Sequence, residues 1–163
     1  MDTQNIQKMI QRIQSVYLFL IALLSSLLFT GSIVNCINKS GSVLKITFTS
    51  IIKSTEGQGL EVIEKLWPLS VLIILIPIIS LVTIFVFKNR KIQMRLAMFL
   101  MILCTLMVIA LIHGSIIIIS KFGATITPGF KMILPLIILI LSVLTYFGIK
   151  KDDQLVKSYD RLR

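Results

Sequence analysis

Leu66-Trp67-Pro68-Leu69-Ser70-Val71-Leu72-Ile73-Ile74-Leu75-Ile76-Pro77-Ile78-Ile79-Ser80-Leu81-Val82-Thr83-Ile84-Phe85-Val86-Phe87 runs for 22 residues without an Asp, Glu, Lys or Arg. A helix rises about 1.5 Å per residue and the hydrocarbon core of a bilayer is about 30 Å thick, so about twenty residues span it. Sixteen residues of the stretch are Leu, Ile, Val or Phe. At about −0.3 to −0.6 kcal/mol each, they favour insertion by roughly 5 to 10 kcal/mol. Pro77 opposes this by about 3 kcal/mol on the soluble-helix scale, enough to kink the span and too little to keep it out of lipid. Three further blocks lack charged residues: Ile13–Val34, Leu96–Ser120 and Met132–Ile149.

Working outward from these blocks, the expected fold is an all-α membrane protein. It is a single four-transmembrane-helix bundle over residues 1–163, with spans at 13–34, 66–87, 96–120 and 132–149, a long first outer loop at 35–65 and a cytoplasmic helical tail at 150–163. The first block follows Lys8 and Arg12 as a signal peptide would, but it exceeds the usual 7–15 apolar residues of one, so it reads as a retained span. The composition agrees: the chain is 56 % hydrophobic with a mean hydropathy of +0.95, above the 45–50 % apolar content typical of soluble domains.

A net charge of +10 invites a nucleic-acid reading. The distribution excludes it, because the basic residues gather at the ends of apolar blocks instead of along one polar face. Lys8 and Arg12, then Lys88, Arg90, Lys91 and Arg95, then Lys150, Lys151, Lys157, Arg161 and Arg163 flank one side of the blocks. Lys39, Lys45, Lys53, Lys65, Lys121 and Lys131 are spread over the other. Cytoplasmic loops carry the Lys/Arg excess, so both termini and the 88–95 loop are expected in the cytoplasm.

The outer loop has strand character, since Ile46, Phe48 and Ser50 alternate with Thr47, Thr49 and Ile51, and Thr55-Glu56-Gly57-Gln58-Gly59 is rich in turn formers. A short β-hairpin fits this pattern; a short amphipathic helix over 59–66 is the alternative. Small residues four apart, Ala22/Ser26 and Ala110/Gly114, suggest where helices approach closely. Pro77 frees the Ile73 carbonyl, which Ser80 or Thr83 is placed to compensate.

Chemistry-bearing residues are few. His113 is the single ionisable group in the apolar blocks. Eighteen residues beyond Arg95, or about 27 Å along a helix, it falls near the outer interface, where a loop carbonyl or water satisfies it. Cys36 and Cys104 form neither a disulfide framework nor a metal-ligand cluster. No catalytic triad, HExxH or phosphate loop is present, so neither an enzyme nor a cofactor is expected. Candidate contact residues for a partner or lipid lie on the cytoplasmic side. They are Lys88, Arg90, Lys91 and Arg95 in the basic loop, and Leu155, Tyr159 and Leu162 on one face of the tail.

Met9-Ile10-Gln11-Arg12-Ile13-Gln14-Ser15-Val16-Tyr17-Leu18, Lys88-Asn89-Arg90-Lys91-Ile92-Gln93-Met94-Arg95 and Lys151-Asp152-Asp153-Gln154-Leu155-Val156-Lys157-Ser158-Tyr159-Asp160-Arg161-Leu162-Arg163 resemble a Bacteroidota family of four-span membrane proteins, domain of unknown function 4293. The resemblance covers nearly all the chain from Met9 onward, which makes Met9 an alternative start to Met1. It implies a bacterial inner membrane and supplies no activity. The expected role is a non-enzymatic accessory or assembly subunit that contacts membrane lipids and another membrane protein or a second copy of itself. The alternative is a small carrier or binder of lipids or hydrophobic molecules, with a cavity beside Pro77.

Overall fold

The computed structural model describes the backbone of residues 3–38, 42–54, 59–87 and 89–161, and the side chains of 13–38, 42–54, 59–87 and 89–154. In chain order the elements are α1 (Thr3–Ser26), β1 (Ser32–Ile37), β2 (Val43–Thr47), β3 (Ser50–Ser54), β4 (Leu60–Lys65), α2 (Trp67–Phe85), α3 (Arg90–Phe122), β5 (Thr125–Thr127) and α4 (Leu134–Arg161). Short 3-10 turns at Leu27–Phe29 and Phe130–Ile133 adjoin α1 and α4.

The strands form one antiparallel sheet in the order β4-β3-β2-β1-β5. This corrects the all-α, four-span expectation. Among the described residues, three helices are long and apolar enough to cross a membrane: Trp67–Phe85, Arg90–Phe122 and Phe130–Gln154. The apolar part of the first helix, Ile13–Phe29, is shorter than these. The 13–34 block divides because Thr30 is extended and Gly31 adopts φ +66°, a left-handed conformation that ends the helix. Ile33 and Val34 then begin a strand. A continuous apolar run carries no period to separate helix from strand, so the change of structure inside it is silent in hydropathy.

The outer loop is likewise more than one hairpin, and the 59–66 helix alternative is replaced by β4. In β2, Leu44 and Ile46 are buried while Val43, Lys45 and Thr47 are half-buried, the period of two that a sheet with one packed face imposes. The register puts Cys36 beside Leu44, and Val34 beside Ile46 and thence Ile51, all buried toward the helices. At Gly114 of α3, an added Cβ would lie 3.6 Å from Ile46 Cδ1 and 4.0 Å from Leu66 Cδ1. The Ala110/Gly114 pair therefore admits a sheet side chain, and Ser26 of the other small pair is exposed.

The helices pack in a closed cycle, α1 on α2, α2 on α3, α3 on α4 and α4 on α1. Their core is apolar, as in a soluble protein, but so is their exterior. α2 turns Trp67, Val71, Ile74, Ile78 and Phe85 outward and buries Ser80 and Thr83. Such an apolar exterior is what lipid selects. The Ser80 hydroxyl donates to the Leu18 carbonyl of α1 at 2.5 Å, and Thr83 donates to Ile79 at 2.6 Å. Neither hydroxyl serves the Ile73 carbonyl freed by Pro77, and α2 continues unbroken through the proline.

The Lys131 ammonium donates to the Thr30 carbonyl and, at 3.2 Å, to its Oγ1. A cation there satisfies a carbonyl left without an intrahelical donor at the end of α1. A Cβ on Gly31 would lie 3.3 Å from that ammonium, with φ positive. Gly31→Ala is expected to lower stability by about 1–2 kcal/mol, read as a fall in the thermal midpoint of the detergent-solubilised protein, whereas Gly114→Ala, at ordinary contact distance, leaves the midpoint nearly unchanged.

Candidate functional site

Two groups of residues stand out, one at each end of the helices. At the end away from the sheet, Gln14 of α1 donates through Nε2 to Asp152 Oδ2 of α4 at 2.9 Å. Both side chains are buried, with 4 % and 7 % exposed. The approach depends on Gly148, where an added Cβ would fall 3.3 Å from Gln14 Cγ and 3.4 Å from its Nε2. The positive charges of Arg90 and Lys151 act on the same carboxylate. On the next helix pair, buried Gln93 of α3 points its Nε2 at the Thr83 carbonyl of α2, 3.5 Å away, and Asn89 caps α3 by accepting from the Ile92 amide. The three motif stretches quoted above therefore converge through Gln14, through Arg90 and Gln93, and through Asp152. Chemically this cluster closes helices upon one another: its amides and carboxylate bond mainly to each other and to backbone.

Of the residues singled out in the sequence, Arg90 is half-buried beside this cluster, while Lys91 and Arg95 are exposed on α3. Lys88 and Leu162 lie outside the described residues, as do the side chains of Leu155 and Tyr159; the helical backbone of α4 continues to Arg161. His113 is exposed on α3, one residue from the sheet contact at Gly114. Gln14, Asp152 and Gln93 were missed by the search for catalytic or basic residues. Their signal was a polar side chain inside or at the margin of an apolar block, where an unpaired polar group is costly.

At the other end, the sheet presents a second face away from the helices. Its register aligns Leu60, Ser54, Val43, Ile37 and Thr125 in one row, and Val62, Ile52, Lys45, Asn35 and Thr127 in the next. Leu60 is 73 % exposed and Ile37 44 %. β4 is an edge strand, so one side of its backbone has no strand beside it. Cys36, on the packed face of β1, has its thiol pushed above the ordinary value by burial, which keeps it protonated and inert.

Two cavities border the sheet. One, of about 270 Å³, is walled by Ile33, Leu111, Ser115, Ile126 and Pro135 between α3, α4 and strands β1 and β5. The other, of about 470 Å³, lies where β4 and the β2–β3 turn meet the start of α2. Pro77 lines neither of these two cavities.

Residues 10–162 match the model of a family described as Domain of unknown function (DUF4293). No curated protein matches the chain.

Removing one partner of a buried polar pair leaves the other unsatisfied, at about 1–3 kcal/mol. Gln14→Leu and Asp152→Leu should each destabilise the solubilised protein by that amount. The double substitution should cost less than the two singles added together, a coupling read from a double-mutant cycle of thermal midpoints.

Proposed function

The chain belongs to the DUF4293 family, and we propose that it is a non-enzymatic accessory or assembly subunit of a bacterial inner membrane, built to hold another membrane protein or a second copy of itself. The observation that carries this reading is the outer face of the sheet. Ile37, Val43, Ile52 and Leu60 gather on the side turned away from the helices. Lipid explains apolar side chains on the helices and does not explain these, because the sheet's other face is the one packed on the helical layer. Contiguous exposed apolar surface of this kind marks interaction sites. Burying side chains such as Leu60 and Ile37 is worth about 1.5–3 kcal/mol each before ordering costs.

The orientation that fits this role has the basic helix ends in the cytoplasm. Arg90, Lys91, Arg95, Lys150 and Lys151 crowd the end away from the sheet, the pattern of a cytoplasmic face. Both termini then lie in the cytoplasm and the sheet outside it. The same basic end is suited to anionic headgroups of the inner leaflet. The polar cluster at Gln14 and Asp152 supports an assembly role over a catalytic one, since its groups are engaged in holding helices together.

Two measurements test the proposal. Isolated in mild detergent, the wild-type protein should carry a membrane partner in fixed stoichiometry or run as a discrete oligomer in native mass spectrometry. Ile37→Lys with Leu60→Lys should run as the lone 18.4 kDa chain with unchanged circular dichroism. A wild-type protein that stays monomeric and unaccompanied, both in mild detergents and after cross-linking in intact membranes, overturns the reading. For orientation, a reporter active only outside the cytoplasm should be active when inserted at residues 39–41 and silent after Arg163; the reverse pattern refutes the assignment.

A further inference from the structure

The cavity of about 470 Å³ beside β4 combines features that the assembly role does not use. Its lining carries the polar side chains of Lys65, Thr49 and Ser50 together with the apolar Phe48, Val62, Trp67 and Ile74, and most of its surface is apolar. Ser50 is 6 % exposed, and its hydroxyl makes only long contacts of 3.4 Å to the Thr47 and Thr49 hydroxyls. Among the described residues Lys65 has no ion pair. The nearest acid in sequence, Glu64, sits opposite Ile51 in the register, and so on the sheet's other face from Lys65, which sits opposite Ser50. Ser70, also in the lining, is occupied by the Phe48 carbonyl at 2.8 Å.

The position of the cavity selects its occupant. α2 is 19 residues long, about 28 Å, with Trp67 69 % exposed at one end and Phe85 78 % exposed at the other. Exposed aromatics at both ends of an apolar helix mark the two membrane–water interfaces. Below Trp67 the outward stripe Val71, Ile74 and Ile78 leads from the cavity along the lipid-facing side of α2. A mostly apolar pocket that holds one lysine without an ion pair and shares Ile74 with the exposed stripe of α2 matches one ligand chemistry, an anionic headgroup joined to an apolar chain.

We propose that this cavity binds a single anionic membrane phospholipid, with its phosphate between Lys65 and the Thr49 and Ser50 hydroxyls and an acyl chain along Ile74. The volume lies within the range of about 300–1,000 Å³ usual for small-molecule sites. The site needs the chain to be membrane-embedded and does not need the assembly role, so it is tested without the substitutions at Ile37 and Leu60.

Trp67 is the chain's one tryptophan, so its fluorescence reports directly on the cavity. Purified protein in mild detergent is titrated with phosphatidylglycerol brominated on its acyl chains, with brominated phosphatidylcholine as the zwitterionic comparison. Saturable quenching near one lipid per protein is expected with phosphatidylglycerol, at a concentration at least tenfold lower than with phosphatidylcholine. Lys65→Glu should remove this preference, and Lys65→Gln should weaken it, both with unchanged circular dichroism. Lys121→Gln, exposed on α3 and outside the lining of this cavity, should leave it intact. Equal quenching by the two lipids, or an undiminished preference in Lys65→Gln, overturns the proposal. So does full displacement of phosphatidylglycerol by inorganic phosphate, which would make the site a simple anion site.

Discussion

The hydrogen bond from Gln14 to Asp152 is the contact on which the helical arrangement most depends. In lipid, apolar side chains gain nothing by leaving one another for acyl chains, so the hydrophobic effect that assembles soluble proteins is absent between helices. What remains is close packing and polar contact. Among the described residues, each interface in the cycle of helices has such a contact. Ser80 reaches the Leu18 carbonyl between α2 and α1, and Gln93 reaches the Thr83 carbonyl between α3 and α2. The Cys104 and Ser142 side chains meet between α3 and α4. Gln14 and Asp152 close the cycle between α1 and α4, the two helices furthest apart in sequence.

That closure also fixes where the sheet can stand. α1 and α4 are joined by Gln14 and Asp152 at one end, and at the other Lys131, in the turn before α4, bonds Thr30, just after the turn that follows α1. The second contact brings the start of β1 beside the turn that precedes α4, and β1 then pairs with β5 through Asn35 and Thr127, Cys36 and Ile126, and Ile37 and Thr125. β5 is only three residues long, yet it joins the connection between α3 and α4 to the sheet that follows α1. A sheet with an unpaired edge cannot sit in hydrocarbon, where exposed backbone groups go unsatisfied. Among the described residues no strand pairs with the far edge of β4, an edge suited to water or to another protein.

Much of the helical framework was legible in the sequence because charge-free blocks of about twenty residues are a compositional signal that survives without periodicity. The second block and α2 nearly coincide for that reason. The sheet was only partly legible. The alternation over 46–51 showed strand character although Phe48 and Thr49 form the turn between β2 and β3, whereas Ile33 and Val34 were hidden in an apolar run, and the pairing of β1 with β5 joins residues about ninety apart. Gly31 was the local clue, since a glycine before a β-branched pair signals a change of direction. The polar contacts were obscured for a different reason. Charged and catalytic residue types leave out glutamine, whose side-chain amide is costly to leave unpaired in lipid.

The two ends of the molecule differ in how far their polar groups are engaged. Inside the helical layer the buried polar groups are engaged: Gln14 with Asp152, Ser80 with Leu18, Thr83 with Ile79, Thr145 with Leu141. A group that must hold a helix in place is poorly suited to changing partners during a reaction. At the sheet end the balance is reversed. Among the described residues Lys65 has no counter-charge, the Ser50 hydroxyl has only long contacts, and Leu60 and Ile37 are apolar side chains on a face that no other element covers. Unspent interaction capacity is concentrated where the chain leaves the lipid, and the contacts of Gln14 with Asp152 and of Lys131 with Thr30 hold that surface in a fixed relation to the basic end.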